Sequence, residues 1–162
     1  MFALVPVDTF IYKLLLLLHI LAIIVAFAPH FVWPVVSAKL ARDKQPVGPR
    51  VGALAAGNTA KVHGPALILA GLFGFALVGL SKPDGADEAL WEFSQTWVTL
   101  AIVLWFIMVG VVFGLMIPAE KKATEGDEEA GKKLAMFNGI IHLALLLMLI
   151  DMIWKPGSGA FG

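Results

Sequence analysis

Four histidines are the side chains of this chain best suited to chemistry, and one of them lies in an unexpected place. His19 is the only residue between Leu14 and Val25 that is not apolar. An ionisable side chain inside a membrane-spanning helix usually faces the bundle interior, pairs with another group or marks a functional pathway. His19 is therefore the first candidate for a functional residue.

The other histidines suggest haem ligation, because a six-coordinate b-type haem takes one axial ligand from each side of the macrocycle. His30 follows a proline in the first apolar stretch, His63 opens the second, and His142 lies one turn into the fourth. We expect His63 and His142 to form the best pair, with His19 and His142 as the candidate metal ligands overall. The alternative is that these imidazoles are interfacial anchors with an apolar body and a polar tip. Met108 and Met116 are discounted as ligands, because methionine is a common packing residue.

Asp151 is a second ionisable group in an apolar stretch, and two partners are open for it. At the helical rise per residue, His19 lies about 9 Å inward from Lys13, and Asp151 lies about 6 Å inward from Lys155. The carboxylate and the imidazole could therefore share a level and pair. Asp151 could instead pair with Lys155 one turn later.

The elements that position these groups follow from composition. Of 162 residues, 59% are hydrophobic and only 15% are charged, which is typical of an integral membrane protein. Spanning the hydrocarbon core takes about 20 helical residues, and lipid leaves each backbone to satisfy its own hydrogen bonds. The sequence predicts an all-α, single-domain transmembrane four-helix bundle over residues 1–162, with helices at about 10–38, 63–81, 96–118 and 138–154.

The distribution of charge predicts the orientation of the bundle. Nine of the twelve basic residues lie in the first and third connections: Lys39, Arg42, Lys44, Arg50, Lys61, Lys121, Lys122, Lys132 and Lys133. Because short cytoplasmic loops carry the positive excess, both termini are expected outside. Tyr12, Trp91, Trp97 and Trp154 fall near the outer boundaries, where aromatic rings prefer to lie. We expect a multi-pass protein of the bacterial inner membrane.

Prolines and glycines indicate where helices bend, end or touch. Pro29 and Pro34 each remove a backbone donor, which predicts a kink or break near residues 25–30. Residues 42–52 are predicted to form a loop and residues 120–133 a solvated connection. Two pairs of small residues at helical spacing, Gly110 with Gly114 and Ala70 with Gly74, allow close helix packing. That packing is either within the chain or against another copy or subunit.

The motifs at the helix ends resemble those of the HemJ-type protoporphyrinogen oxidase family and its relatives, which include copper-resistance D-type domains. The motifs are His19 followed by Pro34, the run Gly64-Pro65-Ala66-Leu67-Ile68-Leu69 continuing to Gly74, and Phe137-Asn138 leading to Lys155-Pro156. The resemblance implies a four-helix bundle that binds haem b through His19, with Asn138 and Lys155 among the cofactor-binding residues. Where the family has an arginine and an acidic residue, this chain has Val35 and Gly139. The resemblance is therefore closest to the small bacterial members of unknown function.

Three classes of function follow. The first is a haem-binding protein of membrane redox or tetrapyrrole chemistry, and the second is a non-catalytic accessory or assembly subunit of a larger membrane complex. Copper or proton permeation ranks last, because the polar residues form no complete path. Whether the chain is an enzyme stays open: it has no Walker loop, dinucleotide fingerprint, HExxH or G-x-S-x-G motif. Zero cysteines exclude disulfides and thiolate-held clusters, and a net charge of zero gives no indication of nucleic acid as a partner.

Overall fold

The computed structural model describes residues 4–43, 49–85 and 87–158. In this part of the chain, four helical segments are long and apolar enough to cross a membrane: Phe10–Leu40, Leu54–Leu80, Thr96–Thr124 and Glu128–Trp154. We call them the first to fourth spans. The predicted all-α architecture with four spans is confirmed.

Within the described residues, the spans are built from six α-helices and two π-helical segments. The first span is α1 (Phe10–Arg42), and the fourth is α6 (Glu128–Trp154). The second combines α2 (Pro49–Asn58), the π-segment Thr59–His63 and α3 (Gly64–Leu80). The third combines α4 (Thr96–Val109), the π-segment Gly110–Met116 and α5 (Ile117–Thr124). Two short strands, β1 (Val5–Pro6) and β2 (Ser81–Lys82), pair in parallel. They lie where both chain ends meet, which we call the terminal end of the bundle.

Four helix boundaries differ from the predicted ones by four residues or more, and the first of them is the end of α1, at Arg42 rather than residue 38. The second helical segment begins at Pro49 rather than residue 63, the third continues to Thr124 rather than 118, and the fourth begins at Glu128 rather than 138. Hydropathy marks only the part of a helix that suits hydrocarbon, whereas charged residues such as Glu and Lys are good helix formers outside it. The fourth helix has a local start signal, because the Asp127 carboxylate accepts the Ala130 N–H at 3.0 Å. The loop predicted over residues 42–52 is wrong at residues 49–52, which belong to α2, and its residues 44–48 lie outside the described residues.

Prolines are accommodated in two different ways. Of the predicted kink or break in the first helix, the break is wrong, because α1 continues without interruption through Pro29 and Pro34. In the second and third spans, a π-segment precedes Pro65 and Pro118. Its wider turn lets an N–H reach the carbonyl five residues back, as from Gly64 to Thr59 and from Ile117 to Val112.

The spans pack as two pairs. The first span packs mainly on the second, and the third mainly on the fourth. Away from the terminal end the pairs join where α2 packs on α5, and the Thr59 hydroxyl donates to Glu120 Oε1 at 2.9 Å. Towards the terminal end they touch sparsely, and a cavity lies there among residues of all four spans.

Candidate functional site

His19 is held in one orientation by the second span. Its Nδ1 lies 2.8 Å from the Ala70 carbonyl oxygen. A carbonyl only accepts, so Nδ1 carries the hydrogen and the neutral ring has its lone pair on Nε2. The ring lies against Gly74, where an added Cβ would come within 3.2 Å of His19 Cε1. The Ala70–Gly74 face was predicted as a site of close helix packing. The structure shows the His19 imidazole of the same chain packed against this face.

The cavity beside His19 has a volume of about 370 Å³ and is lined almost entirely by apolar side chains. Its polar lining residues are Tyr12, His19, Trp91, Trp97, Trp105 and Lys155. The Tyr12 hydroxyl donates to the Leu77 carbonyl, Trp97 Nε1 to Gln95 and Trp105 Nε1 to the Leu67 carbonyl. The groups left for a ligand include His19 Nε2 and the Lys155 ammonium.

Lys155 lies at the terminal end of this cavity. Its backbone is left-handed, with a φ of 42°, and directly follows the last turn of α6. The Nζ lies 4.1 Å from the centre of a Trp91 ring and 5.5 Å from that of a Trp97 ring. Partial burial holds the pKa of the Lys155 ammonium below its ordinary value. The Lys155 ammonium therefore makes cation–π contacts with Trp91 and Trp97 at one end of an apolar cavity.

Ser81 fixes the aromatic residues at the cavity mouth. This fully buried residue donates its hydroxyl to the Val78 carbonyl and accepts the Trp91 N–H, both at 2.9 Å. Its own carbonyl accepts the Leu90 N–H. The loop after the second span is therefore folded back onto the helix end, which brings the Trp91 indole against Trp97 at 5.3 Å between ring centres. Sequence reasoning missed Ser81, because a serine at a helix end carries no distinctive signal.

Both predicted partners of Asp151 are wrong. His19 bonds to Ala70, and the Lys155 ammonium lies over Trp91. The Asp151 side chain is 6% exposed, and neither carboxyl oxygen has a hydrogen-bond partner among the described residues. Depth along the helix was estimated correctly enough to place Asp151 near the terminal end. The direction of its side chain around the helix was not predictable from that count.

The other three histidines gather around α1 on the far side of the cavity from Lys155. His142 Nε2 donates to the His30 carbonyl at 3.1 Å, and its ring stacks on Phe31 at 4.6 Å. His30 Nδ1 donates to Asn138 Oδ1 at 2.9 Å, and His63 Nδ1 donates to the Val25 carbonyl at 2.9 Å. None of these three histidines, nor Asn138, lines the cavity that contains His19.

The two backbone carbonyls that accept hydrogen bonds from His63 and His142 are free to do so for the same reason. Val25 lies four residues before Pro29, and His30 lies four residues before Pro34. Each proline lacks the N–H that would complete the helical hydrogen bond to that carbonyl. His63 and His142 supply the missing donors from neighbouring spans. The imidazoles therefore act as caps on the proline sites of α1, which explains how the helix stays continuous.

The second pair of small residues remains open. An added Cβ at Gly110 or at Gly114 would meet no atom within 4 Å, and both glycines are exposed. No described helix of this chain packs against them closely. This strip on the third span is a surface of the bundle.

Among the described residues, no group of three or more His, Cys, Asp or Glu side chains is arranged to hold a metal ion. A haem iron needs only one or two protein ligands, so the histidine at the cavity is judged by its own geometry. The chain was compared with family models, curated proteins and solved structures, and no match was found in any of the three.

Proposed function

We propose that this chain binds haem b in the cavity between its two helix pairs, with His19 as the first iron ligand. The observation that carries the proposal is the His19 hydrogen bond to Ala70. Histidines that ligate a metal almost always donate their second ring nitrogen to a carbonyl, carboxylate or water, which fixes the tautomer and raises ligand basicity. His19 has this arrangement, with its Nε2 lone pair left for a ligand.

The chemistry of the cavity suits the same group. Its volume of about 370 Å³ lies in the range of small-molecule and cofactor sites, roughly 300–1,000 Å³. The walls suit an apolar macrocycle, and the Lys155 ammonium at the terminal end suits its propionates. When bound, haem supplies one-electron chemistry whose potential depends on axial ligands and burial. The chain would then serve membrane redox or tetrapyrrole chemistry.

The orientation proposed for the bundle places both termini outside the cytoplasm of a bacterial cell. The end opposite the termini contains most of the described basic residues: Lys39, Arg42, Lys61, Lys121, Lys122, Lys132 and Lys133. The loop between the second and third spans, at the terminal end, is mainly acidic. This asymmetry supports insertion in the inner membrane with the basic end in the cytoplasm.

The test is the visible spectrum of the protein purified in mild detergent from cells supplied with a haem precursor. We expect a b-type Soret band and α band in the reduced-minus-oxidised spectrum, lost in His19→Ala and restored there by added imidazole. The matched control, His142→Phe, removes an imidazole outside the cavity and should retain the haem. A folded wild-type protein without these bands would refute the proposal, and a His19→Ala protein with unchanged bands would refute the ligand assignment.

A second candidate function rests on a different surface. Gly110 and Gly114 are exposed on the third span with open space around them, and small residues let helices approach closely in lipid. This supports an accessory or assembly subunit, or a homo-oligomer. Native electrophoresis of solubilised membranes tests it: Gly110→Leu with Gly114→Leu should release the chain from any larger complex. Gly139→Leu, at another open glycine, is the control and should not.

A further inference from the structure

The cavity beside His19 is elongated along the bundle. Its lining residues on the first span run from Tyr12 to Phe27, about 22 Å of helical rise, and those on the fourth run from Leu145 to Lys155, about 15 Å. A volume of about 370 Å³ spread over that length makes a channel that is longer than it is wide. The site therefore has room for an extended chain as well as for a compact group.

One side of the cavity faces the membrane, between the first and fourth spans. The hydrogen bonds that join these two spans in the described part of the chain lie near His30, away from the terminal end. Leu149 follows His142 by seven residues, so it lies on the same face of α6, two turns nearer the terminal end. Leu149 lines the cavity but is 47% exposed, and Ile20 on α1 lines it and is 46% exposed. The two spans therefore separate towards the terminal end and leave an opening to lipid.

The opposite side of the cavity, between the second and third spans, is closed by aromatic rings. Trp105 Nε1 donates to the Leu67 carbonyl at 2.9 Å, and the Trp105 indole lies against Gly71. The Phe75 ring meets this indole edge-on, with 5.4 Å between ring centres. A ligand dissolved in the membrane therefore reaches the cavity from the side of the first and fourth spans.

Lys155 gives the terminal end of this channel a positive charge at the depth of the lipid head groups. It directly follows Trp154, the last residue of the fourth span, and its ammonium lies 4.1 Å from the centre of a Trp91 ring. Trp side chains prefer the membrane–water interface, which sets the level of these rings. Among the described residues, no carboxylate lies within ion-pair distance of the Lys155 ammonium. The ammonium is thus available to an acidic group whose apolar body lies in the cavity.

We propose that the cavity binds a free fatty acid taken up from the membrane, with the carboxylate on Lys155 and the acyl chain extending past His19. Haem also presents carboxylates on an apolar body, through its propionates, so the two ligands share this chemistry and compete. The single chain of a fatty acid fits the elongated channel, whereas a phospholipid has two chains and a bulky phosphate group. The proposal goes beyond haem binding and does not depend on it.

The experiment is quenching of tryptophan fluorescence by palmitate brominated near the middle of its chain. It uses the full chain in detergent micelles, purified without haem from cells in which haem synthesis is blocked. Trp33→Phe with Trp154→Phe provides the background, because the other three tryptophans, Trp91, Trp97 and Trp105, all line the cavity. We expect saturable quenching that unbrominated palmitate reverses.

The charge on Lys155 is tested in the same assay. Lys155→Met should weaken the binding of brominated palmitate about tenfold, because a hydrogen bond between charged groups is lost. Lys13→Met is the matched control, since Lys13 is exposed near the terminal end and does not line the cavity. The brominated alcohol of the same chain length has no carboxylate, and it should bind the wild type and Lys155→Met alike.

The outcomes separate this inference from the proposed haem function. Quenching without saturation, equal affinity of Lys155→Met and the wild type, or displacement by phosphatidylglycerol but not by palmitate would overturn the inference. Palmitate should also raise the haem concentration needed for half-maximal Soret absorbance, and its failure to do so would overturn the placement of palmitate in this cavity. A protein that binds palmitate but never haem would refute the haem function alone.

Discussion

Removing the imidazole that caps Val25 should destabilise the protein much more when residue 29 is a proline than when it is not. His63→Phe keeps a ring of similar shape but has no N–H to donate to the Val25 carbonyl at 2.9 Å. Pro29→Ala restores a backbone N–H four residues after Val25, which can make the ordinary helical bond. The two substitutions should therefore be coupled through one oxygen atom.

The size of the coupling follows from where this carbonyl lies. Val25 is near the centre of the first span, Phe10–Leu40, so water does not replace a lost donor there. Interhelical hydrogen bonds in membranes are worth about 0.6 kcal/mol on average and up to about 1.7, and an unpaired carbonyl costs about 1–3 kcal/mol. We expect His63→Phe to lower the free energy of unfolding by about 1.5 kcal/mol alone and by about 0.5 with Pro29→Ala.

The assay is reversible unfolding in mixed detergent micelles with increasing SDS, followed by circular dichroism for the four proteins of the double-mutant cycle. The expected coupling is about 1 kcal/mol, well above the roughly 0.3–0.5 within which independent sites add. Equal losses from His63→Phe in both backgrounds would refute the capping role of His63. The histidine would then be an anchor whose hydrogen bond to Val25 contributes no stability.

Two further predictions concern the cavity walls. Gly71→Ala should lower the free energy of unfolding by about 1–3 kcal/mol, because the new Cβ would overlap the Trp105 indole; Gly139→Ala, in open space, should not lower it in the same SDS titration. Burial lowers the pKa of Lys155 from its ordinary 10.5, so the unfolded chain binds more protons between the folded pKa and 10.5. Stability should therefore rise with pH through that window, and Lys155→Met should abolish this rise in unfolding midpoints measured at several alkaline pH values.

The spans of this fold could be predicted from sequence, whereas the pairing of its polar groups could not. Long apolar runs have one stable solution in lipid, so four helices follow directly from composition. The predicted helix ends lay too close to the hydrocarbon core of the membrane. The helices continue beyond that core through charged residues around Glu120 and Lys132. A start signal for the fourth helix was present in Asp127, which precedes Ala130 by three residues.

The candidate site shows where sequence reasoning stops. His19 was singled out from the sequence, and the structure places it at a cavity lined mainly by apolar residues, with Lys155 at one end. Asp151 was assigned partners by depth alone, but a side chain's direction around the helix depends on packing between spans. A local rule could have found two more contacts: a proline in a transmembrane helix frees the carbonyl four residues earlier, and that carbonyl needs a donor. Val25 and His30 are these carbonyls.

The arrangement in two helix pairs has a consequence for how the protein is made. Each pair consists of consecutive spans, so the N-terminal hairpin can pack while the ribosome is still synthesising the C-terminal one, since chains fold from the N-terminus during synthesis. His19 can then form its bond to Ala70 before the fourth span exists. The cavity has its second wall only after Met148, Met152 and Lys155 have been inserted. A cofactor that needs both walls would therefore bind only late in biogenesis, at a histidine that is already oriented.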